Sequence, residues 1–230
     1  MSIIPDNLQA VHDRIATAAK AAQRCVDDIN LLAVSKTFGP QAVIKAVQAG
    51  QRAFGENYLQ EALDKMAAVH ALAPDYALQW HFIGPIQSNK TRPIAEHFDW
   101  VHSVEREKIA QRLSEQRPPH LAPLNICLQV NISGESSKSG LAPQDVLALA
   151  QTVASLPRIK LRGLMAIPEP TEDIARQRTA FRQLRQLFDA CRAQGVMLDT
   201  LSMGMSADLE AAIAEGSTLV RVGSAIFGKR

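Results

Sequence analysis

The chain has 230 residues, 47% of them hydrophobic and 21% charged, with a formal net charge of +2. Such a composition excludes a disordered or fibrous protein, and the charge is too small for nucleic acid or an anionic membrane to be the main partner. No apolar run approaches the ~20 residues that span a bilayer, and the first seven residues show no basic stretch ahead of an apolar core, so neither a membrane anchor nor an export signal is expected.

Asp6 is placed to cap a first helix running to about Gln23, with Leu8, Val11, Ile15 and Ala18/Ala19 on one face. Strand-like and helix-like pieces then alternate. A strand over 29–36 precedes a helix over 41–49 closed by Gly50, and a short strand over 52–57 precedes a helix over 58–69. A strand over 79–84 leads to a short helix over 88–97 around Pro93, and a strand over 99–103 leads to a helix over 104–116. Pro118-Pro119 breaks the chain before its clearest strand, 124–132. The polar loop 133–140 is long enough to reach over a ligand, and a helix over 143–156 follows it. A strand over 159–167 ends at Pro168-Glu169-Pro170, and a long arginine-rich helix with a solvated face spans 171–194. The chain closes with a strand over 201–205, a helix over 207–215 and a strand over 219–222, with Ile226 and Phe227 just beyond.

Eight strands alternating with seven helices, with one more helix in front, is the count of a single-domain (β/α)8 TIM barrel over 1–230 whose last helical slot is filled by the extra N-terminal helix. A doubly wound open sheet is the alternative topology. In either fold the carboxyl ends of the strands gather ligands. Lys36 ends the first strand there, where apolar neighbours can desolvate its amine and make it a nucleophile, although a lone lysine at a strand end more often snorkels to water.

The other end of the chain changes that balance. In a barrel, phosphate sites are frequently built by the loops after strands seven and eight. Ser206 and Asp208 stand after the seventh strand, offering a hydroxyl and backbone N–H groups, and Gly223 and Ser224 stand after the eighth, with Arg221 on that strand. A phosphate site beside an amine suggests a phosphorylated aldehyde held as a Schiff base, with pyridoxal 5'-phosphate the obvious candidate. Arg221 suits either the ring nitrogen or a phosphate oxygen; facing the nitrogen, it disfavours ring protonation and restricts the chemistry to mild steps.

The segments 33–36 (AVSK), 54–57 (FGEN), 80–84 (WHFIG) with 87–90 (QSNK), and 201–206 (LSMGMS) through 220–223 (VRVG) to 226–228 (IFG) resemble the YggS/PROSC family of pyridoxal phosphate homeostasis proteins along nearly the whole chain. That family resembles the barrel domain of alanine racemase without its second domain. The resemblance implies that Lys36 carries the Schiff base, that Ser206, Gly223 and Ser224 hold the phosphate, that Arg221 approaches the ring or phosphate, and that Asn57 lies beside the cofactor. It implies a cofactor carrier, buffer or regulator with no established reaction and PLP-dependent apo-enzymes as possible recipients.

Three functional readings follow: a non-catalytic carrier, a PLP-dependent amino-acid racemase, and a class I aldolase. Racemisation needs two opposed bases, and the second base of alanine racemase comes from the domain this chain is expected to lack. An aldolase wants acid/base partners beside a deeper lysine. His81 and His102 are candidate bases that more commonly would be core histidines, and no metal set is visible. Met203 and Met205 read as packing, while Lys90 and Lys138 are candidate secondary amines. Cys25, Cys127 and Cys191 are odd in number, far apart and expected to be buried or inert; they suit a reducing cytoplasm, and a monomer is the default.

Overall fold

The apolar runs that read as strands lie side by side in one closed parallel sheet. In the computed structural model, which describes residues 3–134 and 139–228, the strands are β1 (Asn30–Val34), β2 (Ala53–Glu56), β3 (Gln79–Phe82), β4 (Trp100–Val104), β5 (Leu124–Gln129), β6 (Ile159–Met165), β7 (Thr200–Ser202) and β8 (Leu219–Val222). They pair in chain order, and β1 pairs with β8 from Asn30 opposite Leu219 to Ala33 opposite Val222, which closes the barrel. The doubly wound alternative is excluded by that closure. Runs such as Leu31-Leu32-Ala33-Val34 are apolar at every position because a parallel strand in this position is covered on both faces.

The helices are α1 (Ile4–Ala21), α2 (Pro40–Gln48), α3 (Leu59–Leu72), α4 (Thr91–His97), α5 (Glu107–Gln116), α6 (Val146–Ala154), α7 (Ile174–Ala193), α8 (Leu209–Ala214) and the single turn α9 (Ser224–Phe227). Helix α1 buries Ile4, Leu8, Val11, Ile15, Ala18 and Ala19, the predicted face. It packs on α8, α9 and α2, occupying the slot after β8. Burial of its four large aliphatic side chains contributes about 1.5–3 kcal/mol each.

Element ends differ from the expected ones for local reasons. Asp6 is not the cap of α1: Pro5 occupies a first-turn position, the helix begins at Ile4, and Asp6 sits inside the first turn, where the helix dipole favours it. Helix α7 starts at Ile174 because the Asp173 carboxylate accepts the N–H groups of Ala175 and Arg176 at 2.8 and 3.2 Å. Its solvated face pairs Arg178 and Arg182 with Glu215, as the charge pattern suggests. The segments ahead of α4 and α6 are separate 3-10 turns, Ser88–Lys90 and Pro143–Asp145. The predicted loop 133–140 lies partly, and Lys138 wholly, outside the described residues.

Two layers of side chains fill the structure. Between sheet and helices lies a large aliphatic and aromatic core that includes Phe54 against Trp80 and Phe82 against Phe98. Inside the barrel, Trp100, Cys127 and Met165 form a separate cluster. Cys127 and Cys191 are buried, and burial pushes the Cys127 thiol up to about 12, which keeps it protonated and inert. Cys25 departs from the expected burial and is exposed. Among the described residues no helix is long and apolar enough to cross a membrane.

Candidate cofactor site

A cavity of about 560 Å³ opens at the carboxyl ends of the strands, and Lys36, Asn57, Ser206, Arg221, Gly223 and Ser224 all line it. Residues that the chain separates by up to 188 positions are therefore brought to one mouth because β1, β2, β7 and β8 are consecutive around the closed barrel. Val34, Phe38, Ile83, Ile167 and Met205 give the cavity apolar walls suited to a planar ring.

Lys36 lies two residues beyond β1, not on the strand, and is half-buried in the turn that leads to α2. This turn is held from below by a charged cluster that sequence reasoning did not single out. The Lys65 ammonium, on α3, donates to Glu56 Oε1 at 2.6 Å, to the Ser35 carbonyl at 2.8 Å and to Glu61 Oε1 at 2.9 Å, which uses all three of its hydrogens. Ser35 Oγ donates to Glu56 Oε1 at 2.6 Å, and the Thr37 N–H donates to Glu61 Oε1 at 2.6 Å. Thr37 has φ +68, a strained value for a β-branched residue that persists because these anchors impose it. Burial pushes the Glu56 carboxyl upwards, against the opposing pull of Lys65 and Ser35. The helical spacing of Glu61 and Lys65 was visible in the sequence, but their convergence on Glu56 depends on β2 lying beside β1.

Asn57 follows β2, and among the described residues its buried Oδ1 has no hydrogen-bond partner. Gly84, just past β3, permits the approach of Asn57, since a Cβ there would lie 2.1 Å from the Asn57 carbonyl oxygen. At the opposite wall, the turn containing Ser206 and Ala207 precedes α8. Among the described residues the backbone N–H groups of Ser206, Ala207 and Ser224 have no acceptor. Asp208 does not face an anion: its carboxylate accepts the Met205 N–H at 2.5 Å, and burial raises its pKa. Arg14 of α1 donates to the Ser206 carbonyl at 3.1 Å, so the N-terminal helix supports this wall. Gly223 brings the end of β8 against β1, where a Cβ would lie 3.1 Å from the Val34 carbonyl oxygen.

Arg221 forms the floor and is 3% exposed. Its Nη1 donates to the Ser202 carbonyl at 2.6 Å and to Ser202 Oγ at 2.8 Å, and its Nη2 donates to the Ala166 carbonyl at 2.9 Å. Three of five donors fix the guanidinium, and two hydrogens remain. Burial lowers its pKa to about 10, so it stays cationic at neutral pH. Below it, Ser202 Oγ meets His102 Nδ1 at 2.8 Å, and His102 Nε2 meets His81 Nδ1 at 2.9 Å. Neither histidine borders the cavity, so the general-base expectation for them is not met. Lys90 borders a neighbouring cavity of about 690 Å³ that shares Asn57, Ile83 and Ile167 with the first.

Burial depresses the pKa of His81 from 6.5 to about 3, and that of His102 well below its ordinary value. Both rings are neutral in the fold and bind protons on unfolding below pH 6.5, so the contribution of His81 is complete above pH 6.5 and is lost as pH falls towards 3, and that of His102 is lost in the same direction. Each costs about 1.4 kcal/mol per pH unit within that window. Glu56, with a raised pKa, works in the other direction: its contribution is present at low pH and lost as pH rises through its folded value. As the unfolded histidines take up protons, the urea midpoint is expected to drop between pH 7 and pH 5. A midpoint that stays constant over that interval contradicts the neutral pair.

Residues 7–230 match the alanine racemase N-terminal domain family. Over all 230 residues the chain is 62% identical to the pyridoxal phosphate homeostasis protein of Pseudomonas aeruginosa, covering 100% of this chain and 97% of that protein. It is 52% identical to the protein of the same name from Escherichia coli strain K12, covering 100% of this chain and 98% of that protein. PipY of Synechococcus elongatus PCC7942, solved with PLP bound, is 38% identical with a TM-score of 0.81, over 93% of this chain and 100% of that one. Alanine racemase from Clostridium difficile 630 shares the fold, with a TM-score of 0.70 at 14% identity over 95% of this chain and 56% of that one. The closed barrel and near end-to-end identity with these relatives lead to one assignment: the chain belongs to the pyridoxal phosphate homeostasis protein family, built on the alanine racemase N-terminal domain.

Proposed function

We propose that the protein binds pyridoxal 5'-phosphate in the cavity at the carboxyl end of the barrel, through Lys36, and acts in the cytoplasm as a non-catalytic carrier that hands the cofactor to PLP-dependent apo-enzymes. The observation that carries this reading is the lining itself. Lys36 is its one amine, and among the described residues the lining holds no carboxylate, imidazole or phenol. An amine is enough to capture an aldehyde, whereas racemisation needs a second base on the opposite face. The names of the relatives and the PLP-bound PipY support the choice of cofactor. Three unpaired thiols suit a reducing compartment.

The residues fit the group. When bound, the cofactor supplies an aldehyde that condenses reversibly with an amine and releases water. Lys36 offers that amine from a turn whose backbone is fixed on both sides. The Ser206 and Ser224 hydroxyls, with the unengaged N–H groups around them, offer donors to a phosphate. Arg221 presents a fixed positive charge from the floor, and Asn57 offers an acceptor that no other described residue satisfies.

Two results test this. Arg221→Gln is expected to weaken cofactor binding at least tenfold and to shift the visible band, with about 1–3 kcal/mol lost from stability as Ser202 and Ala166 lose their donors; a titration and spectrum like those of wild type would mean Arg221 does not act on the cofactor. Loaded protein incubated with either enantiomer of common amino acids in D2O is expected to show no α-proton exchange, and exchange at a catalytic rate would turn the reading to a racemase.

A further inference from the structure

A second cavity, of about 1140 Å³, opens at the other end of the barrel among the first residues of the strands, including Asn30, Gln79 and Trp100. Five arginines, Arg24, Arg52, Arg162, Arg185 and Arg192, line it, against three aspartates, Asp27, Asp28 and Asp199. His81 also lines it, although the residue is 2% exposed, and among the described residues its buried Nε2 has no partner.

The hydrogen-bond chain above His81 fixes what that nitrogen carries. A guanidinium only donates, so Ser202 Oγ accepts from Arg221. If Ser202 also accepted from His102, its own buried hydrogen would be left without an acceptor in addition to the unpartnered His81 nitrogen. Fewest groups are orphaned when the Ser202 hydroxyl donates to His102 Nδ1 and His102 Nε2–H donates to His81 Nδ1. The proton of His81 then sits on Nε2. Since Nδ1 is turned to His102, Nε2–H faces away from it, as the buried and unpartnered donor of a residue that lines the cavity.

The surroundings select an anionic acceptor. The His81 ring stacks on Trp100, with centroids 5.3 Å apart and planes at 4°, and the Arg162 guanidinium lies 4.7 Å over the same indole. Arg162 donates through Nε to both oxygens of Asp199 and through Nη1 to Asn125 Oδ1, while its Nη2 lies 2.8 Å from Asp199 Oδ2 as an ion pair with no hydrogen bond of its own among the described residues. We propose that the N-terminal end of the barrel is a binding site for a small oxyanion, a ligand carrying a phosphate or carboxylate group, received by His81 Nε2–H and Arg162. The site is independent of the cofactor reading.

The test uses the unloaded protein, labelled with 15N at histidine, with long-range 1H–15N spectra recorded during separate titrations with inorganic phosphate, acetate and, at matched ionic strength, sodium chloride. The His81 signals are expected to show the Nε2–H form and to move saturably with phosphate or acetate but not with chloride. Arg162→Gln should weaken that titration at least tenfold, and Ser206→Ala, which alters only the upper cavity, should leave it unchanged. Should Arg162→Gln not fold, Arg192→Gln on α7 replaces it. No saturable movement, an equal response to chloride, or loss of the response in Ser206→Ala with retention in the arginine variant would overturn the proposal, the last by placing the anion in the upper cavity.

Discussion

Lys36→Ala protein is expected to take up no borohydride-fixable cofactor while unfolding at the wild-type midpoint. The two halves of this result come from different atoms. The turn around residue 36 is held by its backbone and its neighbours: the Ser35 carbonyl accepts from Lys65, Ser35 Oγ donates to Glu56, and the Thr37 N–H donates to Glu61. Those anchors survive the loss of a half-buried lysine side chain, so stability changes by no more than about 0.5–1 kcal/mol. Capture of an aldehyde, by contrast, needs an amine inside the cavity, and among the described lining residues Lys36 supplies the only one. Phosphate donors remain, so weak, reversible uptake without a fixed adduct is compatible with the account. Wild-type quantities of fixed cofactor on the variant would show that a different lysine is used.

Lys65→Ala is expected to be the most damaging single change to the fold near the site. It removes the counter-charge from Glu56, whose side chain is wholly buried and whose Oε2 already lacks a partner. Breaking a buried pair from one side costs about 3–5 kcal/mol, because an unpaired charge is left in a low-dielectric interior. For a domain of this size that corresponds to a fall in Tm of roughly 10 °C. The loss also takes from the Ser35 carbonyl one of its two donors, leaving the Phe38 N–H, so the Lys36 turn loosens and cofactor occupancy falls in the protein that remains folded. Replacing both partners with apolar residues, as in Lys65→Met with Glu56→Leu, should recover much of the stability but not the occupancy, because Ser35 loses its side-chain anchors and the turn keeps only Glu61 and its backbone bonds. If Lys65→Ala unfolds within about 1 kcal/mol of wild type, the cluster does not hold the turn.

The barrel was legible because alternation of strand and helix is written in local periodicity, and the eight predicted strands all occur. Five of the proposed site residues were placed by the same reasoning: once strands are counted, Lys36, Ser206, Arg221, Gly223 and Ser224 fall at the carboxyl ends, closure brings them to one cavity, and Asn57, which lines the same cavity, was pointed to by the family resemblance alone. Element ends were less legible. Helix α7 starts at Ile174 and not at Thr171, since its cap is decided by the Asp173 carboxylate reaching two backbone amides. The polar chain below Arg221 was not legible at all. His81, His102 and Ser202 sit on three strands, and their contact depends on which alternate residues point into the lumen and on the stagger between strands. Lys65 resembled an ordinary helical surface lysine, and only the neighbouring strand shows that it is buried against Glu56.

The central claim, that an aldehyde-bearing cofactor is held at the carboxyl mouth by Lys36, is tested most directly by loading wild-type protein with pyridoxal 5'-phosphate, reducing with borohydride and mapping the modified peptides. The account predicts a visible band before reduction and a principal adduct on the peptide containing Lys36. A protein that cannot be loaded, or an adduct confined to lysines away from this cavity, would contradict it.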